Sequence, residues 1–201
     1  METNVSTVIV VTGASRGIGK AIALSLAAPD TALIINCSKS AGRLELVKEE
    51  IIKKGALCET FVGDVSNYST VNEMFDLAIS IYGKVNVLIN NAGIASIGLF
   101  QDMTPDMWNN IMSVNLNSVY NCCHFCSAGY VKTSLWKNSS TYHQCGACMV
   151  QAVKSPTLLP RGAINSFYQR LLAKELAPSN IQVNAIACGA IDTEMNGHLS
   201  P

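Results

Sequence analysis

The chain has 201 residues, enough for one domain with a sizeable hydrophobic core and too few for two domains of ordinary size. Its formal net charge is zero, because 14 Lys and Arg balance 14 Asp and Glu, so a broad basic surface for nucleic acid or an anionic membrane is not expected. The eight cysteines lie at irregular positions, which favours free thiols in a reducing cytosol over a disulfide framework.

The N-terminal stretch METNVSTVIVV lacks the basic segment, apolar segment and cleavage site of a secretion signal. No uninterrupted apolar run in the sequence approaches the length of a membrane span. We therefore expect a cytoplasmic protein that has neither a membrane nor a nucleic acid as its partner.

Short Val/Ile-rich runs alternate with amphipathic stretches through most of the chain. In chain order these patterns predict strand 6–13, helix 17–28, strand 31–38, helix 43–55, strand 58–65, helix 69–83, strand 85–93 and helix 104–125. After a disturbed region they predict a helix at 162–177 and a strand at 181–189. Continuous apolar strands separated by helices are typical of parallel strands covered on both faces. The predicted fold is one α/β domain, 1–201, built on a doubly wound parallel sheet.

The stretch TGASRGIG places Gly13, Gly17 and Gly19 between the first predicted strand and the first predicted helix. Glycines at such a turn let the backbone approach a pyrophosphate, whose negative charge is stabilised by the N-terminus of the helix. A glycine-rich turn with no ligand is the alternative. The strand–turn–helix context favours dinucleotide binding.

The spacing TGxxxGxG, together with NNAG at Asn90–Gly93, resembles the short-chain dehydrogenase/reductase family, whose fold is Rossmann-like. Further matches are Asp64 in GDV, Asn115 in SVNL, and VNAIACGAIDTEM at 183–195. Within the family, VTGASRGIG and AKELAPSNIQVNAIACGAIDTEM are most similar to 3-oxoacyl-[acyl-carrier-protein] reductases. The resemblance implies an oxidoreductase of fatty acid biosynthesis that reduces a 3-oxoacyl thioester, carried by acyl carrier protein or free, to its hydroxyl form.

The resemblance also implies which residues hold a nicotinamide dinucleotide. The glycine loop would bind the pyrophosphate and the adjoining ribose, through Gly13, Ser15, Arg16, Gly17, Ile18 and Gly19. The residues flanking the adenine would be Asp64 and Val65, and those beside its ribose Asn91, Ala92 and Gly93. The carboxamide of the nicotinamide would meet Ile191 and Thr193. Cys188 replaces the proline that usually precedes the glycine at 189.

The end of the second predicted strand, IINCSKS, bears on the choice between NADP(H) and NAD(H). It has no Asp or Glu to accept a hydrogen bond from a ribose 2′-hydroxyl. Arg16, Ser38 and Lys39 are placed to meet a 2′-phosphate instead. The sequence therefore favours NADP(H), the alternative being that Arg16 and Lys39 are solvated surface charges.

Most of the family's catalytic residues are missing from this chain. In the family a tyrosine protonates the carbonyl oxygen, a lysine four residues later lowers the pKa of that tyrosine, a serine binds the carbonyl, and an asparagine supports a relay water. Only the asparagine, Asn115, is present. Pro156 stands where the tyrosine is expected, and none of the six tyrosines has a lysine four residues later. We therefore predict little or no turnover.

A shift of reading frame explains the missing residues. If the codons of residues 141–162 are read one frame over, they permit a serine, a tyrosine and a lysine at the family's spacing. Our hypothesis is that about residues 126–161 are an out-of-frame translation bounded by two compensating indels. A non-catalytic NADP(H)-binding protein is the alternative. The chain also ends before the family's final helix and strand, so we expect the family's homotetramer to be impaired.

Four cysteines have the spacing of a zinc ribbon: Cys123, Cys126, Cys145 and Cys148. The first pair lies in a helix that the fold already requires, and the second pair lies in the disturbed segment. We therefore predict no metal site and keep zinc binding as the lesser alternative.

Overall fold

A computed structural model describes residues 5–95, 99–133, 140–146, 169–188 and 191–194. These residues form a parallel sheet flanked by helices. The strands are β1 Thr7–Val11, β2 Thr31–Cys37, β3 Leu57–Val62, β4 Val87–Asn90, β5 Ser140–Gly146 and β6 Gln182–Cys188. The helices are α1 Gly17–Leu26, α2 Ala41–Lys53, α3 Tyr68–Tyr82, α4 Pro105–Met112, α5 Ser118–Thr133 and α6 Gln169–Leu176. Short 3₁₀ helices lie at Phe100–Asp102 and Ala177–Ser179.

The strand order in the sheet is β3-β2-β1-β4-β5-β6. The chain builds outward from β1 to β3 and then returns to the other side of β1 to add β4, β5 and β6. Every described pairing is parallel. The predicted doubly wound fold is confirmed, and its topological switch point lies between β1 and β4.

The two central strands are covered on both faces, which explains their continuous apolar runs. One face of β1, Val8 and Val10, belongs to a core cluster with Met74 and Phe75 of α3. The other face belongs to a second cluster that includes the α2 side chains Leu44, Val47 and Ile51. Because neighbouring residues of a strand point to opposite faces, each face of the sheet buries its own set.

Residues 105–125 of the predicted helix 104–125 are helical, but they do not form one regular α-helix. Thr104 caps α4, its hydroxyl oxygen accepting a hydrogen bond from the backbone N–H of Met107 at 3.2 Å. A π-helical turn, Ser113–Asn117, then separates α4 from α5. Such turns often mark functional sites, and this one contains Asn115.

The strand β5 was not predicted, because STYHQCG is mostly polar and carries no apolar run. It nevertheless pairs in parallel with β4 on one side and β6 on the other. Helix α5 likewise extends into the disturbed segment, as far as Thr133. Residues 162–168 of the predicted helix 162–177 lie outside the described residues. None of the described helices has the length and apolarity needed to cross a membrane.

Candidate functional site

A cavity of about 600 Å³ opens where the loops that follow β1, β2, β3 and β4 come together. In a doubly wound sheet this crevice, at the carboxyl ends of the strands beside the switch point, is where ligands bind. Nearly all of the residues predicted to bind a dinucleotide line it: Gly13, Ser15, Arg16, Gly17, Ile18, Gly19, Ser38, Lys39, Asp64, Val65, Asn91, Ala92, Gly93 and Thr193. The predicted Ile191 is 43% exposed and is not part of the lining.

The glycine loop packs directly against the NNAG loop that follows β4. Gly13 has φ of 66°, and a Cβ built on it would lie 2.8 Å from Cα of Ala92. A Cβ on Gly19 would overlap the side-chain amide of Asn91 and the carbonyl of Gly13. Both glycines are therefore needed for this close approach of backbone to backbone.

Thr12 and Asn91 hold the two loops together through hydrogen bonds. The Thr12 hydroxyl accepts hydrogen bonds from the backbone N–H groups of Asn91 and Ala92, each at 3.0 Å. In return, Nδ2 of Asn91 donates to the carbonyls of Thr12 and Gly13, again at 3.0 Å each. Asn91 is thus a structural support of the cavity as well as part of its lining.

Asn115 lies in the π turn and is 5% exposed. Its Oδ1 accepts a hydrogen bond from the Ile94 N–H at 2.7 Å, and its Nδ2 donates to the Ile94 carbonyl at 2.9 Å. The side chain therefore fixes the loop after β4 at the edge of the cavity. Its role beside a relay water stays a prediction.

Two further asparagines, which were not predicted from the sequence, support the wall of the cavity that follows β3. Nδ2 of Asn36 donates to the carbonyls of Phe61 at 3.1 Å and Gly63 at 3.0 Å, which ties the end of β2 to the end of β3. Nδ2 of Asn121 donates to the carbonyls of Val65 and Ser66, at 3.2 and 2.9 Å. The sequence did offer one indication of such a role, which is an asparagine inside an apolar run. A buried amide at such a position needs a specific hydrogen-bond partner.

Three charged side chains meet at the mouth of the cavity. Nη1 of Arg43, in the first turn of α2, lies 2.7 Å from Oε2 of Glu194, and Nη1 of Arg16 lies 3.4 Å from the same oxygen. Hydrogen bonding to Arg43 is the main cause that lowers the pKa of Glu194. All three residues line the cavity. Arg43 and Glu194 were not predicted.

Residues 7–135 match the model of the short chain dehydrogenase family. The chain is 31% identical, over 193 residues, to a 3-oxoacyl-[acyl-carrier-protein] reductase of Synechocystis, covering 96% of this chain and 77% of that protein. It is 33% identical, over 190 residues, to the Staphylococcus epidermidis enzyme of the same name, covering 94% and 77%. The chain belongs to the short-chain dehydrogenase/reductase family. It is accordingly of the NAD(P)-dependent oxidoreductase type, and the predicted family is confirmed.

Solved short-chain dehydrogenases have the same fold. One from Burkholderia cenocepacia, in complex with NADP, has a TM-score of 0.86 and 27% identity, covering 96% of this chain and 78% of that one. A dehydrogenase/reductase from Sinorhizobium meliloti has a TM-score of 0.87 over 95% of this chain and 75% of that one, at 23% identity. The latter likeness concerns the fold alone.

The cavity fits a phosphate-bearing ligand such as a dinucleotide, with its phosphates at the N-terminus of α1. Its volume of about 600 Å³ lies within the range of ligand pockets, roughly 300–1,000 Å³. The first turn of α1 carries no acidic residue, and its N-cap residue, Arg16, makes no capping hydrogen bond with its side chain. The N–H groups of that first turn are thus suited to a phosphate.

Asn115 is the one residue predicted for catalysis, and it lies among the described residues. Pro156, at the expected place of the tyrosine, lies outside the described residues, as does most of the hypothetical out-of-frame segment.

The core location of Cys123 counts against the zinc alternative. This cysteine is 3% exposed, and its Sγ accepts a hydrogen bond from Nδ2 of Asn90 at 3.5 Å. Burial raises the pKa of its thiol to about 12, so without a metal the thiol stays protonated and packs as an apolar side chain. Cys148 and the side chains of Cys126 and Cys145 lie outside the described part of the chain.

Proposed function

We propose that this short-chain reductase binds NADP(H) in the cavity at the end of β1 and derives from a cytoplasmic reductase of 3-oxoacyl thioesters, but has little turnover itself. The observation that carries the proposal is the glycine loop packed against Asn91 and Ala92 beside a cavity of about 600 Å³. The curated relatives named as 3-oxoacyl-[acyl-carrier-protein] reductases support the substrate class.

In this proposal the glycine loop and the N-terminus of α1 bind the pyrophosphate. Asp64 and Val65 form the pocket for the adenine, and the carbonyls of Gly63 and Val65 on either side of Asp64 are held by Asn36 and Asn121. Thr193, whose Cβ lies 3.7 Å from a Cβ built on Gly17, would meet the carboxamide of the nicotinamide.

NADP(H) is proposed over NAD(H) because the end of β2 offers cations and hydroxyls. Ser38, Lys39 and Arg16 line the cavity there, and the segment from Asn36 to Ser40 contains no carboxylate. A carboxylate would accept a hydrogen bond from a ribose 2′-hydroxyl and repel a 2′-phosphate, whereas cations attract it.

Low turnover follows from the missing proton donor. When bound, the cofactor supplies a hydride to the carbonyl carbon, and a proton must reach the carbonyl oxygen. The amide of Asn115 has no acidic proton to give, and both of its ends are held by Ile94. Residues that act as a catalytic unit retain little activity when most of the unit is gone. The match to the family model ends at residue 135, before Pro156 at the expected place of the tyrosine.

Binding and turnover are measured on the same purified chain. NADPH is titrated by its fluorescence, and NADPH oxidation is followed with an acetoacetyl thioester. We expect saturable NADPH binding with oxidation close to the background rate. The matched control is a chain in which residues 126–161 are re-encoded in the shifted frame to restore the serine, tyrosine and lysine.

The outcomes separate the competing ideas. Restored oxidation in the re-encoded chain supports descent from a keto-thioester reductase, whereas binding without restored oxidation favours the non-catalytic NADP(H)-binding protein. Clear oxidation by the original chain contradicts the proposed low turnover. Failure of the folded chain to bind either nucleotide contradicts the proposed cofactor site.

A further inference from the structure

We propose that Glu194 is an internal competitor for the ribose 2′-phosphate, and that Arg43 is a second 2′-phosphate-binding residue beside Arg16. This inference rests on the proposed NADP(H) site and deepens it. The three side chains, Arg16, Arg43 and Glu194, are called the arginine–glutamate bridge below.

The arginine–glutamate bridge joins three separate parts of the fold. Arg16 is the N-cap residue of α1, Arg43 lies in the first turn of α2, and Glu194 lies in the loop after β6. A single carboxylate oxygen of Glu194 receives both guanidinium groups, at 2.7 Å from Arg43 and 3.4 Å from Arg16. The carboxylate thus neutralises two cations that would otherwise repel each other across the mouth of the cavity.

The arginine–glutamate bridge is exposed to solvent, so another anion can replace the Glu194 carboxylate on the two arginines. The side chains are 53% exposed for Arg16, 54% for Arg43 and 56% for Glu194. Ion pairs this exposed contribute little to stability, because water screens them and two long side chains must be ordered. Glu194 consequently contributes little to holding the loop after β6 in place, but an anion that binds both arginines must displace its carboxylate.

A phosphate monoester suits the two arginines better than the carboxylate does. It carries a charge of about −1.5 to −2 and three acceptor oxygens, so it can bind both guanidinium groups at once. The ribose of NAD(H) has no such group, and its binding leaves the bridge intact. Glu194 therefore weakens the binding of NADP(H) selectively, whereas Arg43 strengthens it.

The experiment compares the original chain with Glu194→Gln, Arg43→Gln and the matched control Asp192→Asn. Asp192 is an exposed carboxylate in the same loop and does not line the cavity. Each protein is titrated with NADPH, NADH, 2′,5′-ADP and 5′-AMP at low and at high salt. Circular dichroism verifies that the variants remain folded.

In Glu194→Gln we expect NADPH and 2′,5′-ADP to bind about two- to fivefold more tightly, the range of one exposed charge interaction. The same ligands should bind about tenfold more weakly to Arg43→Gln, which loses a charge-assisted hydrogen bond. NADH and 5′-AMP should bind equally to all four proteins. The differences should shrink at high salt, which a purely structural effect would not do.

Three outcomes would contradict the proposal. If Glu194 instead positions Arg43 for the phosphate, Glu194→Gln will bind NADPH more weakly, and the competitor proposal is wrong. Unchanged ratios of NADPH to NADH affinity in both variants also overturn it, and leave the cofactor site itself standing. Loss of all nucleotide binding by the original chain overturns the proposed function and this inference together.

Discussion

Replacing Asn91 with alanine tests whether the NNAG loop supports the cofactor cavity. The substitution removes two hydrogen bonds, from Nδ2 to the carbonyls of Thr12 and Gly13, each 3.0 Å long. At about 0.5–1.5 kcal/mol for each bond, the free energy of unfolding should fall by about 1–3 kcal/mol. For a chain of this size every kcal/mol lowers Tm by about 2–4 °C.

The same variant should bind NADPH more weakly, because Gly13 belongs to the loop that we assign to the pyrophosphate. Thermal denaturation followed by circular dichroism measures the stability, and NADPH fluorescence measures the affinity. The matched control is Asn72→Ala on α3, since Oδ1 of Asn72 is buried with no hydrogen-bond partner among the described residues. No hydrogen bond to Oδ1 is lost there, so the free energy of unfolding should fall less than in Asn91→Ala. If Asn91→Ala is as stable as the control and binds NADPH normally, the supporting role of Asn91 is refuted.

Two further predictions concern α4 and the buried thiols. Thr104→Ala removes the hydrogen bond to the Met107 N–H and should lower the free energy of unfolding by about 1 kcal/mol, whereas Thr104→Ser should retain it, as urea denaturation will show. Burial raises the pKa of the Cys58 and Cys123 thiols to about 12, so neither should react with a thiol reagent at pH 8 until the chain unfolds. Because unfolded thiols ionise from about pH 8.5, these two groups should make the fold less stable as pH rises from there toward 12. Rapid labelling of the native chain, or stability that rises over that range, would contradict this assignment.

The elements predicted best from the sequence are the strands that are buried on both faces of the sheet. All seven residues of β2 are buried, and the largely apolar run TALIINC indicates this burial. The π turn escaped prediction because its extra residue changes the helical period only locally, within Ser113–Asn117. The strand β5 escaped because its place in the sheet is set by pairing with β4 and β6, whereas its own sequence is mostly polar.

The residues of the candidate site also fall into two groups, those that a local sequence pattern predicts and those that only the fold brings together. The residues of the glycine loop and of NNAG were predictable because their spacing is local to one turn each. The pairing of Arg43 with Glu194 was not, because the two residues are 151 positions apart and meet only through the fold. Asn36 and Asn121 were missed for a related reason, since their partners are backbone carbonyls, which no sequence pattern identifies.

The supports of the cavity lie almost wholly in the part of the chain that matches the family model, residues 7–135. Hydrogen bonds inside that range join Thr12 with Asn91, Asn36 with Gly63, Asn115 with Ile94, and Asn121 with Val65. The tyrosine and lysine that the family uses for proton transfer would come from later in the chain. If that later segment is out of frame, as we propose, the chemistry is lost while these supports of the cavity stay in place. This separation is the physical reason to expect nucleotide binding without turnover.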